Sequence, residues 1–89
     1  MTLIVDIYHS HHDRDERNAA QSHAFADGTE SEEIARWIYN AEPERVRRMA
    51  GEAFPHILHC VDLARGSDGR GDDVEASIAF WLTIAIRTV

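Results

Sequence analysis

Three histidines and three acids lie within nine residues near the start of the chain, in the stretch YHSHHDRDE over residues 8–16. If a strand predicted over residues 2–9 continues to His11, then His9 and His11 project from the same face, because side chains alternate along a strand. Two imidazoles held in this way can begin a zinc site. The stretch is therefore a candidate for one half of a metal centre.

A second group of metal-ligating side chains follows in HILHC, residues 56–60. On a helix, His56 lies three residues before His59 and four before Cys60, so each pair shares one side. A structural zinc site needs four ligands, which the chain supplies only by combining both groups across the fold. A metal-binding protein that holds zinc or nickel in this way is one hypothesis. The simpler interpretation, in which the histidines are polar or hydrogen-bonded boundary residues, is favoured.

The elements that must position these side chains can be predicted from hydrophobic periodicity. The segment TLIVDIYH (2–9) is rich in β-branched residues and predicts a strand. Residues 13–27 are ambiguous, because Asp13 and Glu16 could form a capping box but a helix there would have little apolar surface to dock. The segment TESEEIARWIYNA predicts a helix that a Thr29–Glu32 capping box begins.

The second half of the chain predicts two further helices. The apolar spacing from Pro43 onward keeps its phase across Gly51 and Pro55, which predicts one helix that is kinked near 51–55 and ends before Gly66. Residues 72–89 begin with an Asp72–Glu75 capping box and predict a helix that is apolar nearly all round. Residues 82–89 also alternate as a strand would, and such a strand could pair with residues 2–8.

These elements predict one small domain over residues 1–89. We expect a mostly α fold, with three to four helices and a short N-terminal β-strand. The alternative is an α+β fold in which the N-terminal and C-terminal strands pair. A helix apolar around its circumference cannot hide every face in a chain of 89 residues, so we expect a homodimer. The interface residues predicted from that helix are Phe80, Trp81 and Ile84.

The charge of the chain favours a protein partner. Sixteen acids and nine arginines give a formal net charge of −7, which makes direct binding to nucleic acid unfavourable. Most of this charge lies in residues 1–42, and an acidic run over residues 27–33 can present a charged face to a basic partner. The predicted partner-binding residues are Asp27, Glu30, Glu32 and Glu33. The competing interpretation of these acids is ordinary stabilisation of a helix N-terminus.

Composition narrows the function further. The single cysteine cannot form an intrachain disulfide, and the apolar stretches are too short to span a bilayer, so we expect a cytoplasmic protein with no membrane contact. No phosphate loop or nucleophile elbow is present, and a small enzyme with a site shared between subunits is only the third hypothesis. The leading one is a small acidic protein-binding module that inhibits or regulates a basic partner. Immunity proteins, antitoxins, phage-encoded inhibitors and DNA mimics share this size and charge.

Overall fold

Strands and helices are interspersed along the chain in the computed structural model, which describes residues 1–49, 51–66, 74–79 and 81–89. The elements in chain order are β1 (Thr2–Tyr8), α1 (His11–Asp15), β2 (Gln21–Ala26), α2 (Ser31–Ala41), α3 (Pro43–Arg47), α4 (Ala53–Ala64), β3 (Val74–Ala79) and β4 (Leu82–Thr88).

The four strands form one antiparallel sheet in the order β2-β1-β4-β3. The first strand therefore lies between β2 and β4 and has hydrogen-bonding partners on both sides. Val5 illustrates the register, since it stands opposite His23 of β2 and Ile86 of β4. This arrangement satisfies the backbone groups that a lone strand would leave unpaired.

The two faces of the sheet differ in what covers them. Leu3, Val5 and Ile7 of β1 point into the core, where they are buried with Ile34 and Ile38 of α2 and with residues of α4. The two longer helices, α2 and α4, pack against each other, and α4 also contacts β3 and β4. The second face carries Asp6, which stands opposite Ser22 and Ala85. The alternation of β1 therefore separates an apolar helix-covered face from a more polar face.

The prediction of a mostly α fold is wrong, and the error lies in the last segment of the chain. Residues predicted as one helix over 72–89 form β3 and β4 instead, and Asp72 of the predicted capping box lies outside the described residues. The segment is apolar at both helical and strand spacing, so periodicity alone does not decide between them. Its β-branched residues and the hydrogen bonds that β1 needs favour the strand. The alternative α+β fold, with terminal strands paired, is confirmed.

The kinked helix predicted from Pro43 to Ala64 is two helices, α3 and α4. Gly51 has a φ of 79°, a left-handed conformation that an α-helix does not contain. Pro55 then lies in the first turn of α4, where its missing N–H breaks no helical hydrogen bond. The loop predicted over residues 66–73 lies outside the described residues except for Gly66.

Earlier in the chain the strand over 2–9 and the helix over 29–41 are confirmed with small changes of boundary. The predicted Thr29 cap is wrong, because the N-cap of α2 is Glu30 and no side chain caps it. The ambiguous residues 13–27 contain the end of α1, which Ser10 caps by accepting from the Asp13 amide, and then β2. The longest helix among the described residues has 12 residues. No helix among these residues is long and apolar enough to cross a bilayer.

Candidate functional site

The four predicted partner-binding acids lie together at one end of the sheet, and we call them the acidic end. Asp27 follows β2, Glu30 is the N-cap of α2, and Glu32 and Glu33 occupy the first turn of that helix. All four side chains are exposed. The positive end of the helix dipole stabilises negative charge at this place, which keeps the cluster compatible with the fold.

The backbone of the acidic end is fastened by Arg65, the C-cap of α4. Its Nη1 donates to the Thr29 carbonyl and to Ser31 Oγ (3.1 Å), and its Nη2 donates to the Asp27 carbonyl (3.3 Å). The guanidinium thus holds the loop through main-chain and hydroxyl oxygens, and none of these bonds goes to a carboxylate of the acidic end. Within the described part of the chain, Glu32 alone among the four forms an ion pair, with Arg36 at 2.9 Å.

The predicted histidine clusters are separated by the fold. Because β1 ends at Tyr8 and α1 begins at His11, His9 and His11 do not share a strand face. His11, His56 and His59 are all exposed residues, and the His56 ring donates from Nε2 to the Ile78 carbonyl at 2.8 Å. Among the residues that the structure describes, no three His, Cys, Asp or Glu side chains are grouped closely enough to hold a metal ion. Zinc or nickel binding stays a prediction.

Cys60 is the most deeply buried of the predicted metal ligands. Its Sγ lies 3.9 Å from His56 Nε2, and its residue belongs to the hydrophobic core. Burial raises the pKa of the Cys60 thiol, because desolvation penalises the thiolate. The thiolate is the metal-binding form, so the site disfavours the state that a zinc ligand needs.

Sequence reasoning missed a buried carboxylate network around Glu42, in which His9 takes part. The Glu42 side chain is 8% exposed, and its Oε1 accepts from His9 Nε2 at 2.7 Å and from Gln21 Nε2 at 2.9 Å. Arg45 Nε lies 3.6 Å from Oε2. Gln21 also donates to the Ala41 carbonyl, so the network joins the end of β1, the start of β2 and the end of α2. The sequence marks Glu42 only as an acid before a helix-starting proline.

The predicted dimer residues that the structure describes differ in how far they are exposed to a second copy of the chain. Ile84 is fully buried in the core of one chain, opposite Ile7 of β1, and therefore presents no surface to a second copy. Trp81 is half-buried at the turn between β3 and β4, and Phe80 lies outside the described residues. The homodimer prediction depends on a helix over residues 72–89, but residues 74–79 and 82–88 form strands. The homodimer therefore stays a prediction, and that helix no longer supports it.

A polar pocket of about 730 Å³ opens on the second face of the sheet, and we call it the sheet pocket. Its floor is formed by residues of β1, β2 and β4, and α1 with the residues after it forms one wall. The residues that line it are Asp6, Tyr8, Arg14, Asp15, Arg17, Ala19, Ser22, Ala85 and Arg87. Sequence reasoning missed this site, although an aspartate in the middle of a β-branched strand was a signal for it.

No family model, curated protein or solved structure matches this chain. Function must therefore be argued from the chemistry of its own surfaces. The acidic end can attract and orient a cationic surface, since its charges are exposed and its backbone is held. The sheet pocket has the size of a small-molecule site and combines guanidinium, carboxylate and hydroxyl groups.

Proposed function

We propose that this chain is a small protein-binding module that inhibits or regulates a partner with a basic surface, and that the acidic end holds the partner. The observation that carries the proposal is the contact pattern of Arg65. That arginine orders the loop through Thr29, Ser31 and the Asp27 carbonyl, and no carboxylate of the acidic end is used to do so.

An ordered loop with exposed charges suits recognition for two physical reasons. Association costs less conformational entropy when the binding segment is already held in one geometry. Exposed charges of one sign also steer a complementary partner and raise its association rate, most strongly at low salt. Helix stability alone gives no role to Asp27, which lies four residues before the first residue of α2, because the dipole effect falls off within the first turn.

The partner is expected to be a protein and not a nucleic acid. A chain with a net charge of −7 repels a phosphate backbone, whereas a surface rich in lysine and arginine complements the acidic end. The pairing of Glu32 with Arg36 is exposed at both side chains and is therefore weak enough to exchange for a partner contact.

The test compares two variants that change net charge by the same amount. The first neutralises the acidic end as Asp27→Asn, Glu30→Gln, Glu32→Gln and Glu33→Gln. The control neutralises four exposed acids elsewhere, as Asp15→Asn, Glu16→Gln, Glu44→Gln and Glu52→Gln. Each is used with the unchanged chain to capture proteins from the native host, and circular dichroism first establishes that both variants fold.

The proposal expects a protein with a basic surface to be captured by the unchanged chain and by the control but not by the first variant. With that protein purified, neutralising the acidic end should slow association by about tenfold or more and remove most of its salt dependence. Capture of the same proteins by both variants, with equal association rates, would refute the proposal and assign the acids to helix stability.

A further inference from the structure

The floor of the sheet pocket contains a buried carboxylate that organises its neighbours. Asp6 stands in the middle of β1 with a side chain that is 8% exposed. Ser22 Oγ donates to its Oδ1, and Arg87 Nε lies 3.3 Å from its Oδ2. Burying a carboxylate costs free energy unless the group is hydrogen-bonded or ion-paired. Asp6 therefore holds the side chains of Ser22 and Arg87 in place.

Arg87 is left with donors for a ligand. It contacts Asp6 through Nε alone, and no hydrogen bond from its two terminal nitrogens reaches any residue in the described ranges. The side chain is 44% exposed, so these nitrogens are accessible from solvent. A guanidinium held at Nε presents a planar fork of N–H groups, which matches the oxygens of phosphate.

The walls of the pocket add two more arginines. Arg14 and Arg17 line it together with Asp15, whose carboxylate Oδ1 lies 3.3 Å from Arg14 Nη2. Within the described lining, three arginines against two acids give a formal charge of +1, in a chain whose net charge is −7. A local excess of guanidinium charge on an otherwise acidic protein favours an anionic ligand over a cationic one.

Arg17 occupies a backbone conformation that does not suit it. Its φ is 54°, in the left-handed region that glycine and asparagine favour, and it follows the C-cap of α1. Asn18, the next residue, would fit the position better by type. A non-glycine residue in this conformation costs of order 1 kcal/mol, and such outliers cluster at functional sites. A role for the Arg17 guanidinium in the pocket would explain why this backbone strain is kept.

We propose that the sheet pocket binds a small phosphorylated polyol, of the class of sugar phosphates. The guanidinium groups of Arg87, Arg14 and Arg17 donate to the phosphate. Asp15 and Ser22 Oγ, whose own proton goes to Asp6, accept from the hydroxyls of the polyol, and the Tyr8 hydroxyl donates to or accepts from them. A volume of about 730 Å³ accommodates such a ligand. Among the described lining residues Tyr8 is the one aromatic and is 7% exposed, so these residues offer no open stacking platform for a nucleobase. The acidic end does not line the pocket, so this site is independent of the proposed partner surface.

The experiment is a titration with ribose 5-phosphate, followed by the amide shifts in two-dimensional NMR, with ribose, inorganic phosphate and adenosine monophosphate as comparison probes. Binding should shift amides of the pocket lining, and ribose 5-phosphate should bind at least about tenfold more tightly than ribose or phosphate alone. Arg87→Met and Arg17→Gly should each weaken it by about tenfold. Arg47→Met is the matched control, because it removes the same charge from an exposed side chain whose ion pair among the described residues is with Glu44.

Arg17→Gly separates a binding role from a structural one. Glycine suits a φ of 54°, so this variant should keep or raise the melting temperature while it loses affinity. If Arg87→Met fails to fold, the Arg17→Gly result decides alone. Absence of shifts at about 10 mM ribose 5-phosphate would overturn the proposal. Equal weakening by Arg47→Met, or tighter binding of inorganic phosphate or of adenosine monophosphate, would overturn it as well.

Discussion

Replacing Glu42 by alanine should be among the most damaging single changes to a polar side chain of this protein. The carboxylate is 8% exposed and accepts two short hydrogen bonds, from His9 at 2.7 Å and from Gln21 at 2.9 Å. Alanine removes Oε1, which accepts both bonds, and leaves the amide of Gln21 and the ring of His9 without this partner. It also removes the charge that faces Arg45.

The size of the effect follows from burial and hydrogen bonding. Breaking a buried charged pair costs about 3–5 kcal/mol, and a hydrogen bond to a charged group contributes about 1.5–3 kcal/mol. The side chains of His9 and Arg45 are 30% and 27% exposed, so both can regain water after the change. The lower end of the range therefore applies, and we expect a loss of about 3 kcal/mol in the free energy of unfolding. For a domain of this size, this lowers the melting temperature by about 12–24 °C.

Urea denaturation and thermal melting of Glu42→Ala measure this loss directly. Glu44→Ala is the control, because Glu44 lies two residues away, is exposed and pairs with Arg47 over 3.6 Å. The control should change the free energy of unfolding by no more than about 0.5 kcal/mol. A double-mutant cycle with His9→Ala should give a coupling of about 1 kcal/mol or more. The network does not hold β1, β2 and α2 together if Glu42→Ala lowers the free energy of unfolding by less than about 1 kcal/mol, or by no more than Glu44→Ala does.

Three further changes test other parts of the structure. Because burial raises the pKa of the Cys60 thiol above its ordinary value of 9.0, the unfolded chain loses that proton first, so stability is lost as pH rises above about 9. In urea denaturation, the free energy of unfolding of Cys60→Ala should lack this loss at high pH. An identical pH dependence in both proteins would contradict the effect of burial on the thiol. Ile84→Ala should lower the free energy of unfolding by about 3 kcal/mol, since Ile84 is 0% exposed in the core. A change in light scattering without a change in denaturation would instead place Ile84 at an interface between copies. Arg65→Met should free the acidic end and speed partner dissociation by about fivefold or more in surface plasmon resonance, and unchanged dissociation would show that the loop needs no anchor.

The parts of the fold that could be predicted from the sequence are those in which one periodicity dominates. The stripe of Ile34, Trp37, Ile38 and Ala41 permits a helix only, and α2 is found there. The last segment could not be assigned in this way, because Ile78, Leu82 and Ile86 fit helical spacing while Leu82, Ile84 and Ile86 also fit a strand. Tertiary pairing decided the matter, since β4 supplies a neighbour that β1 requires.

The candidate sites divide in a similar way. The acidic end could be predicted because its residues are neighbours in the sequence, and the structure places them in one exposed cluster. The sheet pocket could not be predicted, because strand register brings Asp6, Ser22 and Arg87 together from three distant segments. A metal site that combines the two histidine clusters is only the second hypothesis from the sequence, because no periodicity says how β1 and α4 meet. In the structure His9 pairs with Glu42, which no local pattern marked.

The pairing of β1 with β4 has a consequence for how the chain reaches its native state. Ile7 and Gln21, the nearest pair of the β1–β2 ladder, are 14 positions apart, whereas Tyr8 and Thr83 of the β1–β4 ladder are 75 apart. Closing the larger loop costs about 1.5 kcal/mol more in entropy, so the two middle strands should meet late and limit the folding rate. The same ladder brings Thr2 and Val89 into mutual backbone hydrogen bonds, at 2.9 and 2.8 Å. A circular permutant that joins these ends by a short linker and opens between Gly51 and Glu52 would turn the slow pairing into a local hairpin. Such a chain should refold faster in stopped-flow experiments through the same native sheet.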